Sequence, residues 1–312
     1  SLGDHQTALD YHNKALTIRK ARYGEMHHHI ATSYHGLASV YQQLGSYEKA
    51  LECQKKALSI RESLYGENHP HTVAGYNNIA TMYCQLGESQ KAMDYHNKVL
   101  GIITKETYEG KNQYTALSYV NIASVYDELG EYQKALEFQL KALEIMKTIY
   151  PEKHPDTAGC YNQLGSIYHK LEKYQEALEY HEKALDLRQK LYQAKHSSIA
   201  SSYSNIALVF EKLDQYQKAL EFQTKAVGIF ESVYGKTHPE TAASYLNLGA
   251  IYSSQAKFQN ALDCYHKSLD IMKTIFNEKH PTIAGLYFNI AKAKQDLGDL
   301  KIALDYHNKA LE

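Results

Sequence analysis

The chain has 312 residues, with 34 Lys plus Arg against 35 Asp plus Glu, so its net charge is close to zero. A nucleic-acid binder draws most of its affinity from a basic excess, and no such excess is present. Tyrosine dominates the aromatic content, at 28 Tyr and 7 Phe with no Trp, and the four cysteines (Cys53, Cys84, Cys160, Cys264) show no metal-ligand spacing. The expectations are a cytoplasmic protein with reduced, largely buried thiols, no cofactor, no bound metal and no membrane insertion.

A repeat organises the whole chain. The motif Ala-Leu-x-(Tyr/Phe) and its variants place Ala8, Ala50, Ala92, Ala135, Ala177, Ala219, Ala261 and Ala303 at steps of 42 residues, with one step of 43. The extra residue falls within 101–107, where a local bulge or loosened turn is expected. A second small residue keeps the same period: Ala38, Ala80, Ala123, Gly165, Ala207, Gly249 and Ala291, each four residues after a tyrosine. A third marker is His-Pro, at His69, His154, His238 and His280. His196 and His27 hold the same place without the proline.

In chain order, residues 1–26 read as a half repeat holding an outer helix alone. Six full repeats follow at 27–68, 69–110, 111–153, 154–195, 196–237 and 238–279, and a final one occupies 280–312. The chain starts part-way through a repeat and reads as a fragment of a longer protein. Each unit reads as two helices. In the fourth full repeat the first spans 157–171, with Tyr161, Leu164, Gly165 and Tyr168 at helical spacing. Proline ahead of it suits the first helical turn, where the missing N–H costs nothing. A turn marked by Leu-Gly in four units comes next, and the second helix spans 174–191, roughly 27 Å at 1.5 Å per residue. Acid four residues before Lys recurs on it, from Asp10 and Lys14 to Asp305 and Lys309, in the favourable helical orientation of a solvated face. Small residues at two registers let helices approach to about 8–10 Å. One unit cannot bury its apolar stripe alone, so neighbours supply the cover. The expected fold is all-α, a right-handed superhelical solenoid of antiparallel helix pairs with about fifteen helices and uncapped ends open to self-association.

The pattern Tyr-x-x-(Ile/Leu)-(Ala/Gly)-x-x-Tyr followed by Gly-x-Tyr-x-x-Ala-Leu resembles the tetratricopeptide repeat, with a period of 42 where the family's usual one is 34. The segment 66–80, GENHPHTVAGYNNIA, is similar to the long repeats of kinesin light chain and nephrocystin-3-type proteins. The resemblance implies a scaffold that binds an extended peptide or a partner helix in a concave groove lined by the first helices. It leaves two alternatives: a cargo-binding light-chain-like motor subunit, and a sensor segment of a larger ATPase or ADP-ribosyltransferase.

Two residues after the first tyrosine of each unit stand Gly36, Asn78, Asn121, Gln163, Asn205, Asn247 and Asn289. Asn is a poor mid-helix residue, so its recurrence at one register points to use: each amide offers a donor and an acceptor to an extended backbone. Asn77, Asn162, His169, Leu246 and Phe288 are expected beside this row, with Leu246 and Phe288 as apolar anchors. Adjacent His-Pro histidines are expected about 10 Å apart, too far for Zn–N bonds of about 2.0–2.1 Å. The run His27 to His29 reads as able to take metal adventitiously. Cys84 and His169 or His181 lie two repeats apart and make no credible nucleophile pair, and no phosphate loop or hydrolase motif occurs, so no enzyme activity is expected.

Overall fold

The computed structural model describes residues 2–104, 113–150, 153–276 and 280–311. These form fifteen α-helices and no strand among the described residues. The chain divides into two compact units, 1–152 and 153–312. The first holds α1 (Leu2–Tyr23), α2 (His28–Gln43), α3 (Tyr47–Tyr65), α4 (Pro70–Gln85), α5 (Ser89–Thr104), α6 (Gln113–Glu128) and α7 (Tyr132–Ile149). The second holds α8 (Pro155–Lys170), α9 (Tyr174–Leu191), α10 (Ser197–Lys212), α11 (Tyr216–Tyr234), α12 (Pro239–Ser254), α13 (Phe258–Ile275), α14 (Pro281–Asp296) and α15 (Leu300–Leu311). Even-numbered helices are the first, or A, helices of their repeats, and odd-numbered ones the B helices. The sequence expectation for α9 agrees with the structure to the residue, and α8 begins two residues earlier than expected because Pro155 is its first residue. The bulge expected within 101–107 falls mostly outside the described residues.

Within each unit, an A helix packs against its own B helix and against the B helix of the repeat before it. The two small-residue registers sit at these crossings. Ala50, Ala92, Ala135, Ala177, Ala219 and Ala261 are wholly buried, as are Ala80, Ala207 and Ala291 on the A helices. Leu164, Ile206, Ile251, Leu262 and Leu286 fill the space between. Each such side chain contributes roughly 1.5–3 kcal/mol on burial, so these contacts dominate the fold. The acid–Lys pairs on the B helices form at Glu52–Lys56, Glu137–Lys141, Glu179–Lys183, Glu221–Lys225 and Asp305–Lys309. They are exposed and screened, and add little. At Asp94 the expected partner is lost: Lys98 reaches Glu67 at 3.1 Å and lies 4.3 Å over the Tyr76 ring. On α15, Leu304 is 62% and Leu311 88% exposed, whereas the matching Leu262 and Leu269 of α13 lie under α14.

The helix ends are defined locally. The His-Pro marker is an N-cap: Nδ1 of His69, His154, His196, His238 and His280 accepts the N–H two residues on, at 3.2–3.3 Å. An aromatic side chain four residues earlier stacks on the capping ring, as in Tyr192–His196 at 4.0 Å and Phe276–His280 at 3.9 Å. A helices end in a Schellman motif. In α2 the Ser46 N–H reaches Tyr41 C=O and the Gly45 N–H reaches Gln42 C=O, with Gly45 at φ 69°. Three repeats form the same turn without glycine, holding Glu172, Asp214 and Ala256 at φ 57–59°.

Alanine in that left-handed region costs about 1–2 kcal/mol, and glycine returns about 0.5–1 kcal/mol of it as unfolded-state entropy. Ala256→Gly is therefore expected to stabilise the protein by about 0.5–1 kcal/mol, read from urea unfolding. A lower midpoint would show that the turn is not strained. A tighter contact lies at Gly165, where an added Cβ would stand 2.6 Å from the His181 ring. Gly165→Ala should cost about 1–3 kcal/mol by overpacking. Combining it with His181→Gln should recover most of that loss, because Gln139 and Gln223 fill the same place opposite Ala123 and Ala207; an additive double variant would count against the clash.

Candidate partner-binding face and the buried polar row behind it

Adjacent A helices touch along α4–α6 in the first unit and along α8–α10 and α10–α12 in the second. The residue two places after the first tyrosine is partly exposed on each: Asn78 and Asn121 in the first unit, Gln163, Asn205, Asn247 and Asn289 in the second. The expected row therefore faces neither full solvent nor the core. It forms two segments, one in each unit.

The neighbouring position behaves differently. Asn77 is 5% exposed and fully engaged: its amide donates to Ser118 Oγ at 3.3 Å, and its carbonyl accepts from His96 Nδ1 at 3.3 Å. It ties α4 to α5 and α6 instead of facing a partner, which corrects the expectation that it lines the groove. Asn162 remains partly exposed and accepts from Asn205 Nδ2 at 2.8 Å, linking α8 to α10. Ser254 donates to Glu211 at 2.7 Å and links α12 to α10 in the same way. Leu246 is half-buried against the core that includes Leu262 and Leu286, so only part of it is available as an anchor. Phe288 is 53% exposed, with the His307 ring edge-on at 5.5 Å. His169 is half-buried, edge-on to Tyr174 at 5.4 Å, and burial lowers its pKa.

Behind the face runs a buried polar row absent from the expected site residues. Four residues after the alanines of α3, α5, α7, α9, α11 and α13 stand Gln54, His96, Gln139, His181, Gln223 and Tyr265, none more than 4% exposed. Gln54 bonds His35 at 3.0 Å and Gln223 donates to Ser244 C=O at 2.9 Å. A buried amide or imidazole is costly unless paired, so the contacts of Gln54, His96 and Gln223 help fix the register of α3, α5 and α11 against their A neighbours, while His181 Nδ1 is buried without a partner. His181 lies flat over Gly165, and Tyr265 over Gly249. The 42-residue recurrence of Gln and His at one B-helix position was the available signal.

The thiols are poor nucleophiles. Burial pushes Cys84 and Cys264 to about 11 and Cys160 to about 12, so negligible thiolate exists at neutral pH. Among the described residues, no helix is long and apolar enough to cross a membrane.

A tetratricopeptide repeat model matches residues 1–63, 29–105, 76–148, 114–190, 198–273 and 250–312. The chain belongs to the tetratricopeptide repeat family. Among curated proteins no individual sequence matches it. Solved tetratricopeptide structures are similar to it in fold. The apo quorum sensor NprR from B. thuringiensis shares 18% identity over 98% of this chain and 82% of that one, with a TM-score of 0.74. A putative kinesin light chain from Podosopora anserina, built of nearly identical repeats, shares 24% identity over 67% of this chain and 98% of that one, at a TM-score of 0.57. A signal-transduction ATPase from Pyrococcus horikoshii with a tetratricopeptide sensor shares 20% identity over 90% of this chain and 42% of that one, at 0.69. This tetratricopeptide fold is typical of protein-interaction scaffolds.

Burial holds His96 and His181 at about 4, below the ordinary 6.5. Both are neutral in the folded state, while the unfolded chain takes up protons below pH 6.5. Stability is thus complete above that value and falls as the pH drops towards 4, by on the order of 3 kcal/mol per histidine. His96→Gln with His181→Gln should flatten the fall in melting temperature between pH 6.5 and 4. An unchanged profile would place the titration elsewhere.

Proposed function

We propose that this tetratricopeptide array is an interaction scaffold whose A-helix face takes an extended peptide or a partner helix. The observation that carries the reading is the row Asn205, Asn247 and Asn289, in one register on successive A helices and only partly exposed. An extended chain along such a row meets a fresh amide at each repeat, and each amide both donates to a peptide C=O and accepts from a peptide N–H. Held this way, the backbone is gripped with little dependence on side chains. Selectivity then falls to the neighbours: exposed Phe288 offers an aromatic anchor, half-buried Leu246 adds apolar surface, and Glu211 and Lys212 give mixed charge near the centre of the second unit.

Asn205 already spends its amide on Asn162, so its neighbours are the better test of the ladder. The readings as a cargo-binding motor subunit and as the sensor of a larger enzyme would use this same face.

A peptide selected from a random display library against the full chain is expected to lose about tenfold in affinity for the Asn247→Leu, Asn289→Leu double variant, two net hydrogen bonds at about 0.5–1.5 kcal/mol each. Phe288→Ala should weaken it further, with the melting temperature nearly unchanged in both variants. Undiminished affinity in the double variant would end the ladder reading.

A further inference from the structure

Away from the A-helix face, one place gathers ligating side chains: the corner between α1 and α2. His27, His28 and His29 each bring a ring nitrogen within 4.8 Å of the other two, the one convergence of three potential ligands among the described residues. The ring centroids lie 4.3 Å apart for His27–His28, 3.9 Å for His28–His29 and 5.1 Å for His27–His29. We propose that these three imidazoles form a site for a borderline divalent ion, Zn²⁺ or Cu²⁺.

Several features separate this corner from a chance run of histidines. His27 is the N-cap of α2, and its Nδ1 accepts the His29 N–H at 3.3 Å. That bond leaves Nε2 as the ligand atom and settles the ring's tilt. Tyr23 stacks on the same ring at 4.5 Å and lies 5.2 Å from His29, holding the cap from the other side. Such outer support orients metal-binding histidines generally. His28 is the exposed member of the three, so the closing of the rings that metal–nitrogen bonds of about 2.0–2.1 Å require meets least packing there.

The repeats provide an internal comparison. The residue after the capping histidine is Pro70, Pro155, Ser197, Pro239 or Pro281 in the units that follow, each suited to starting a helix and none able to ligate through an imidazole. The unit at 111–153 has Asn112 at the histidine's place in its sequence, and among the repeats that keep the histidine the first alone sets another histidine directly after it. In the second repeat His69 and His71 remain, 5.2 Å apart, without a third partner. The site lies within a single helix start and needs no histidine from an adjacent repeat.

Imidazole nitrogens select Zn²⁺ and Cu²⁺ over the oxygen-seeking Mg²⁺ and Ca²⁺. Three protein ligands leave at least one coordination position to water or to a side chain from elsewhere, as in open zinc sites. The positive end of the α2 dipole opposes the cation, which argues for a moderate affinity.

Zn²⁺ titrated calorimetrically into the full chain is expected to bind with one ion per molecule, undisturbed by excess Mg²⁺. Co²⁺ at the same site should give a visible d–d absorption band that Zn²⁺ removes. His28→Ala and His29→Gln should each weaken Zn²⁺ by at least about 10-fold. His27→Asn should do the same while keeping an N-cap, so an unchanged melting temperature separates lost ligation from lost folding. A control pair, His69→Asn with His71→Ala, should leave uptake intact. No uptake by the native chain, uptake indifferent to all three changes at 27–29, or uptake abolished by the control pair would each overturn the proposal.

Discussion

Everything in this molecule depends on how closely an A helix can approach the B helices on its two sides. The approach is set by alanine or glycine at two registers, wholly buried at most of the crossings. A larger side chain there would hold the helices apart and uncover the leucines and isoleucines between them. The same closeness forces rings from the B helix onto the A-helix backbone, and the local residue choice answers it: glycine stands under His181 and Tyr265, alanine opposite Gln139 and Gln223. The match is not strict, since the His96 imidazole is buried at the same register opposite Ala80.

Close packing of this kind carries a second consequence. A polar group on the B helix facing the crossing cannot reach water, so a protein partner relieves its burial cost where one is within reach; His181 Nδ1 and Gln223 Oε1 find none. Gln54, His96 and the Gln223 Nε2 pair with His35, Asn77 and the Ser244 carbonyl. These bonds add little net stability, but misalignment by one residue would strand each of them. Hydrophobic contacts thus supply the driving force, while the buried polar row decides which of several similar stackings is adopted.

The A-helix face is what remains once those demands are met. Its asparagines are neither fully exposed nor needed by the core at every repeat, a position suited to a partner's backbone. Internal links such as Asn162–Asn205 and Glu211–Ser254 limit the side-chain freedom of that face. A binding surface already ordered loses less entropy when a ligand arrives. The histidine corner at the start of α2 belongs to a different logic, since it grows out of a capping device shared with α4, α8, α10, α12 and α14.

The sequence by itself determined the repeat length, the helix pairs, the small-residue crossings and the register of the asparagine row, because each follows from periodicity along one chain. Tyr174 and Leu191 bounded α9 to the residue, whereas α8 was expected two residues late because Pro155 belongs to its first turn. Which polar residues face outward was beyond its reach. Asn77 and Asn78 are chemically identical neighbours about 100° apart around a helix; only the position of Ser118 and His96, 41 and 19 residues away, decides that the first is consumed internally and the second remains available. Histidine as an N-cap, the stacked aromatic before it and the convergence of His27 to His29 likewise depend on ring positions in space. Local pattern encodes which face of a helix is apolar, whereas the fate of each polar side chain depends on what long-range packing brings within about 3 Å of it.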